Sequence, residues 1–453
     1  MRKELLRSRR RTAASATVVL VAVAVASCGG ESGSSGDSGV ELTVWSAYGE
    51  TVDDVFREAV EQFADENQGT TVAYEAVDAS AFRERLLTTA ATGEGPDIIY
   101  ISSENVGAYA GPGLLAPLPE DLFEEELAGT LASVPKDEEG RPIALWWAGG
   151  YYGFDYRTDF ASDAGWQGPL PRTWNELVDF CTATVERDDS GRITREGVSW
   201  NAWDTGNLPY IWPTMFDGLL QTQGSTLLNA DGTSANLDTP EAAAALQLVH
   251  DMIWKQKCSL PSSQVLRPPT AGLFPLMTGA SAADFQAGNS PTLYITLGGP
   301  ELEGKWDRVP FVPKPEGGED VVIAGGSGWA VTTFSENRDE AYDLLKAMNQ
   351  PEVLQKLAAD PELAVPVFRS DIMTSPEVTD MYAEHAPSAE VYMSSWDSPE
   401  FKAAFAPNVK HPNFPDIAET FGNGVIEALE DPDLDIPAFL VDLQVATDAV
   451  LQQ

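Results

Sequence analysis

From residue 40 onward, apolar and polar positions alternate between two periods. "ELTVWSAYG" (41–49) alternates in steps of two and predicts a strand. "VDDVFREAVEQFADEN" places Val52, Val55, Phe56, Val60 and Phe63 at helical spacing. "TTVAYEAV" returns to strand, and "SAFRERLLTTAATG" to a helix that stops at Gly93. "PDIIYIS" is a short, continuously apolar run, as in a buried parallel strand. This β-α-β-α-β order predicts a doubly wound α/β lobe. Later helices carry start signals. Thr173 with Glu176 three residues on forms a capping box, and Thr239 precedes Pro240 at a first helical position. Between Gly197 and Asp231 the pattern breaks into aromatic, proline-containing segments that read as loop. Prolines also break the stretch 361–415, and the chain closes as helix, turn, helix.

The first residues do not fit this alternation. Arg2, Lys3, Arg7, Arg9, Arg10 and Arg11 precede an Ala/Val-rich run from Ala13 to Ala26, too short to span a bilayer. This is the layout of a secretory signal peptide. It ends Val25-Ala26-Ser27-Cys28, which resembles a bacterial lipobox and makes Cys28 the expected lipidation site. The arginine pairs leave both general and twin-arginine export open. A Gly/Ser-rich stretch to Gly39 reads as a flexible tether. The remaining chain is long enough for two domains of about 200 residues.

Charge narrows the partners. The formal net charge is −42, which disfavours nucleic acid or an anionic membrane as a partner. Contact with a membrane is expected only through the anchor. Beyond Cys28 only Cys181 and Cys258 remain; an exported protein can pair them, and the sequence leaves the pairing open. The three histidines, His250, His385 and His411, show no metal spacing, and no nucleophile elbow or phosphate loop is present.

Taken in order, several segments resemble the solute-binding proteins of ABC importers, in their sugar-binding group. They are "LTVWSAYGE", "LLTTAATGEGPDIIYISSENVGAYAGPGLLAPL", "GFDYRTDFASDAGWQGPLPRTWNELVDF", "DFQAGNSPTLYITLGGP", "VIAGGSGWAVTTFSENRDEAYDLLKAMNQPEVLQKL" and "HPNFPDIAETFGNGVIEAL". Arg157 departs from the asparagine usual in the family. The resemblance implies an α/β periodic alternation folded as two discontinuous lobes, the periplasmic-binding-protein-like fold, with a ligand cleft that closes by hinge motion. The expected division is leader 1–27, tether 28–39, first lobe 40–148 and 309–350, second lobe 149–308 and 351–453. It implies a monomeric, non-catalytic receptor without cofactor or metal, partnered by a sugar or oligosaccharide and by the importer's membrane permease.

Sugar recognition needs aromatic faces for the ring and fixed polar groups for the hydroxyls. Trp45 and Tyr48 end the first strand, where open sheets place ligands. Glu104 lies where the family presents a carboxylate, with Asn105 beside it. Trp146 and Trp147 stand at the expected first crossing between lobes, where adjacent residues face opposite sides. Trp203 and Tyr210 come from the second lobe. Gly326, Ser327 and Trp329 stand at the second crossing, and Phe421 where the family uses a stacking tryptophan. Two rival readings accompany this one: a receptor for a cation such as a polyamine, which suits the acidity, and a secreted glycosidase with two carboxylates across a cleft.

Overall fold

The structure is a computed structural model. It describes residues 39–123, 134–137, 139–166, 171–201, 208–268, 273–287, 290–309, 311–385 and 411–453; side chains of Ser80 and 208–210 are outside the description. Cys28, the leader, nearly all of the tether and Trp203 therefore lie outside it.

Gly39–Gln453 forms one compact unit. It opens with β1 (Val40–Ser46), α1 (Glu50–Glu66), β2 (Thr70–Ala76), α2 (Ala79–Thr92), β3 (Ile98–Ser102) and α3 (Val106–Ala110). β1 pairs in parallel with both β2 and β3, as the β-α-β-α-β order requires. α1 buries Val52, Val55, Phe56, Val60 and Phe63, the set its spacing picks out. Gly93 after α2 has φ 72°, a left-handed stop that glycine takes without strain.

β4 (Leu145–Arg157) is the long strand that leaves this layer. α4 (Thr158–Asp163), α5 (Trp174–Thr184), the hairpin β5 (Glu186–Arg187) and β6 (Ile193–Arg195), α6 (Leu208–Gln221) and α7 (Pro240–Trp254) follow. The capping box of Thr173 and Glu176 forms at α5, and Thr239 caps α7 ahead of Pro240. Then come β7 (Ala283–Gln286), α8 (Ser290–Leu297), β8 (Trp306–Val309) and β9 (Ile323–Val331). The chain ends with α9 (Arg338–Met348), α10 (Pro351–Ala359), α11 (Ser370–Met373), α12 (Pro376–His385), α13 (Phe414–Ala428) and α14 (Ile436–Leu451).

The sheet runs β2-β1-β3-β9-β4-β7, with β8 also on β4. β9 pairs antiparallel with β3 on one side and with Leu145–Tyr152 of β4 on the other. The second half of β4 pairs with β7 and β8. β4 thus runs from one hydrophobic core into another. Trp147 and Tyr151 belong to the first core, Tyr152 and Phe154 to the second. Where the strand changes cores, Asp155 and Arg308 form a fully buried ion pair at 2.5 Å. Arg308 also donates to the carbonyls of Tyr151 and Ala287, both at 2.9 Å, and contacts Ser290.

Two expectations change. The segment read as loop between Gly197 and Asp231 contains α6, which carries Pro213 inside it and buries Ile211, Trp212, Met215, Phe216, Leu219 and Leu220. The core division also departs from the expected lobe boundaries. Leu354, Leu357, Val367, Met373 and Tyr382 pack into the first core, while Phe421, Val425, Leu440 and Leu443 pack into the second. Trp306 goes with the first core, and Val309 and Val312 with the second.

Candidate functional site

Polar side chains gather where the carboxyl ends of β1 and β3 meet the β4–β9 ladder. On β3, Ile99 and Ile101 are fully buried, while Tyr100 and Ser102 point the other way. The Tyr100 hydroxyl shares a 2.9 Å hydrogen bond with Ser327 on β9. Past β3, the Ser103 amide donates to the Gly326 carbonyl (2.9 Å), and the Gly326 amide donates to Ser103 Oγ (3.2 Å). Ser103 Oγ in turn donates to Glu104 Oε1 at 3.1 Å, and the Tyr152 hydroxyl donates to the same oxygen at 2.5 Å. Asn105 donates to Ser102 Oγ at 3.0 Å.

Tyr48, half-buried, leans edge-on against Tyr100 (6.0 Å) and Trp147 (4.8 Å). Burial pushes the Tyr48 hydroxyl up to about 12. It pushes Tyr100 and Tyr152 higher still, with Glu104's charge adding to the effect. All three remain protonated hydroxyls at physiological pH. Among the described residues no Lys or Arg hydrogen-bonds to Tyr48, Tyr100, Ser103, Glu104, Tyr152 or Ser327, and Glu104 is the one carboxylate in the cluster.

The structure thus brings Tyr48, Glu104, Asn105, Gly326 and Ser327 together. It moves Trp45, Trp146, Trp147 and Trp329 out of reach as stacking platforms. Trp147 and Trp329 are both fully buried and stack on each other at 6.2 Å, with Phe56 edge-on to each. Trp45 carries the Arg85 guanidinium 3.9 Å above its ring and Phe82 at its edge. Trp146 is 4 % exposed, against Gly328, where an added Cβ would fall 2.7 Å from the indole. Phe421 is fully buried on α13 against Phe216 of α6, at 5.2 Å. Their faces are covered by protein, so these rings build the cores behind the cluster. Tyr210 stands in the first turn of α6.

Tyr100, Ser103 and Tyr152 were missed from sequence. Alternation along "PDIIYIS" does set Tyr100 on the face opposite Ile99 and Ile101, and that signal was available. The second core holds a pair of carboxylates apart from the cluster. Glu196 accepts from the Leu260 amide (2.9 Å) and Ser199 (3.2 Å), and Asp284 accepts from the Leu276 amide (3.0 Å) and Ser281. Burial raises Glu196 to about 8 and Asp284 to about 7, and each also feels a neighbouring carboxylate.

These two groups fix a pH dependence. Their folded pKa values lie above the unfolded ones, so the stability they contribute is complete below about pH 4 and lost as pH rises through 7 to 8. Asp159 and Asp371, held down by Arg157 and Arg369, act oppositely and lose their contribution below about pH 4. The melting temperature should therefore peak near pH 5 and fall toward pH 8. Glu196→Gln should flatten the fall. An equally steep fall in that variant would refute the assignment.

Cys181 and Cys258 are joined in a disulfide, with Cα atoms 5.6 Å apart across 77 residues. This settles the pairing the sequence left open.

A unit with two cores, joined by strands that pass from one to the other and carrying polar groups at the crossing, defines a two-lobed solute-binding fold. Residues 49–355 match the family model described as bacterial extracellular solute-binding protein, and the chain belongs to that family. It is 26% identical over 359 residues to the diacetylchitobiose binding protein DasA of Streptomyces coelicolor, covering 75% of this chain and 77% of that one. It is 24% identical over 317 residues to the lactose-binding protein of Rhizobium radiobacter, covering 67% and 69%. Among solved structures, an ABC transporter solute-binding protein of Thermotoga lettingae bound to α-D-tagatose superposes with TM-score 0.70 at 19% identity, covering 91% of this chain and 100% of that one. The maltose/maltodextrin-binding domain of Bdellovibrio bacteriovorus bound to maltotriose gives 0.67 at 18%, covering 91% and 100%. The family works outside the cytoplasm, and no described helix is long and apolar enough to cross a membrane.

Proposed function

We propose that this protein captures a neutral sugar or short oligosaccharide between its two cores and delivers it to the permease of an ABC importer, held at the membrane by lipid on Cys28. The observation that carries the reading is the cluster from Tyr48 through Tyr100, Ser327 and Ser103 to Glu104 and Tyr152. It offers hydroxyl donors and acceptors, one carboxylate and a half-buried ring, the equipment a polyol needs. Trp203 and Tyr210 are the stacking aromatics that the family resemblance names; their side chains lie outside the described residues. β4 and β9, which join the cores, act as the hinge. The names of the relatives, which include diacetylchitobiose- and lactose-binding proteins, support a saccharide. A glycosidase needs two carboxylates flanking one bond, and the cluster presents one.

The test is thermal shift on the chain from Val40, with diacetylchitobiose, lactose, maltotriose, tagatose and spermidine. A true ligand at about a hundredfold excess over its Kd should stabilise by about 2.7 kcal/mol. Stabilisation by spermidine alone would replace the sugar reading with the cationic one. Glycoside turnover dependent on two of the protein's carboxylates would make it an enzyme. In cells, Cys28→Ser should leave the protein soluble outside or as unprocessed precursor; normal membrane retention would refute the anchor.

A further inference from the structure

We propose that Tyr152 is the positioning residue for Glu104, fixing the carboxylate that the ligand meets; the inference rests on the cluster being the binding site. Tyr152 stands on β4 just where it enters the second core, whereas Glu104 follows β3 of the first. Its ring is 8 % exposed and stacks on Phe285 of β7 at 6.4 Å and 25°. On the paired strand β9, Gly325 stands two residues along from Ile323, the register partner of Tyr152. A Cβ there would fall 2.6 Å from Tyr152 Cε2, 3.0 Å from its hydroxyl and 3.1 Å from Ser103 Oγ. Only glycine leaves room for the ring to lie flat and send its hydroxyl on to Glu104.

Both hydrogen bonds to Glu104 then land on one oxygen. Oε1 accepts from Tyr152 at 2.5 Å and from Ser103 at 3.1 Å, and Oε2 accepts from no described residue. A glutamate on a loop has three free torsions, and ordering them on binding costs affinity. A charge-assisted bond from a buried, protonated phenol removes that freedom beforehand and keeps Oε2 as an acceptor in a fixed place. Tyr152 and Glu104 come from different cores, so this acceptor is set only while the two cores hold their mutual position.

Tyr152→Phe removes the hydroxyl and keeps the ring on Phe285. With whichever sugar of the panel the unmodified protein binds, Tyr152→Phe should weaken binding about tenfold. In a Glu104→Ala background, which removes the acceptor, the same change should cost about twofold or less. An equal loss in both backgrounds, or none in either, would overturn the proposal. Gly325→Ala, which pushes the ring off its seat, should reproduce the loss and its dependence on Glu104; full binding by that variant also counts against it. A second readout needs no ligand. In a crystal structure of ligand-free Tyr152→Phe, the Glu104 carboxylate should move by more than about 1 Å while the phenyl ring stays on Phe285. An unmoved carboxylate overturns the proposal. A moved carboxylate in a protein that binds no sugar of the panel supports it and tells against the sugar reading alone.

Discussion

Asp155→Ala should cost about 3–5 kcal/mol of stability, because it removes a buried carboxylate that pairs with the Arg308 guanidinium at 2.5 Å. The side chains of Arg308 and Asp155 are 2% and 0% exposed. The carbonyls of Tyr151 and Ala287 and the Ser290 hydroxyl accept hydrogen bonds from Arg308 but carry no charge to offset its own. For a compact unit of this size the loss corresponds to a melting temperature about 5 °C lower. Replacing both partners by Leu and Met should be milder than the single change, because the desolvation penalty leaves with the charges. Thermal and urea melts of the three proteins check this. A single-variant loss below about 1 kcal/mol would mean that water reaches the pair.

The second large effect comes from the disulfide. Closing a loop of 77 residues constrains the unfolded chain by about 4 kcal/mol in the chain-entropy treatment. Cys181 and Cys258 are both fully buried, so mild reductant should leave the native bond intact. The double variant Cys181→Ser, Cys258→Ser should melt about 5 °C lower. A shift below about 2 °C would show that the bond's native-state geometry takes back what the loop provides.

Local order was legible because it depends on neighbours in sequence. The buried face of α1, the caps at Thr173 and Thr239, the stop at Gly93 and the parallel pairing of β1, β2 and β3 all follow from short-range pattern. α6 was lost to Pro209 and Pro213, which read as breakers. Its apolar residues at 211, 212, 215, 216, 219 and 220 nevertheless repeat every turn, and that repeat outweighs one interior proline in a buried helix.

The polar half of the proposed cluster was legible in sequence. Glu104 follows the end of β3, and Gly326 and Ser327 lie in the middle of β9 beside it. Tryptophan content could not tell a sugar platform from a core plate, since both are large flat apolar surfaces. Trp147 and Trp329 proved to be plates because each covers the other. Tyr100 and Tyr152 were overlooked because their partners lie 227 and 48 residues away. A hydroxyl gains meaning only when topology delivers the group it bonds. Topology also explains the shifted lobe boundary: α9 to α12 follow β9 in sequence and settle on the core that β9 enters.

The place of β9 in the sheet has a consequence for the chain's birth. β3 is complete by Ser102, yet the strand that covers its open edge starts only at Ile323. A chain made or threaded N-terminus first carries that edge bare for more than two hundred residues. Pairings so distant close slowly, and an uncovered edge is a docking line for any other strand. The same delay keeps the first core unfinished until most of the chain has been made.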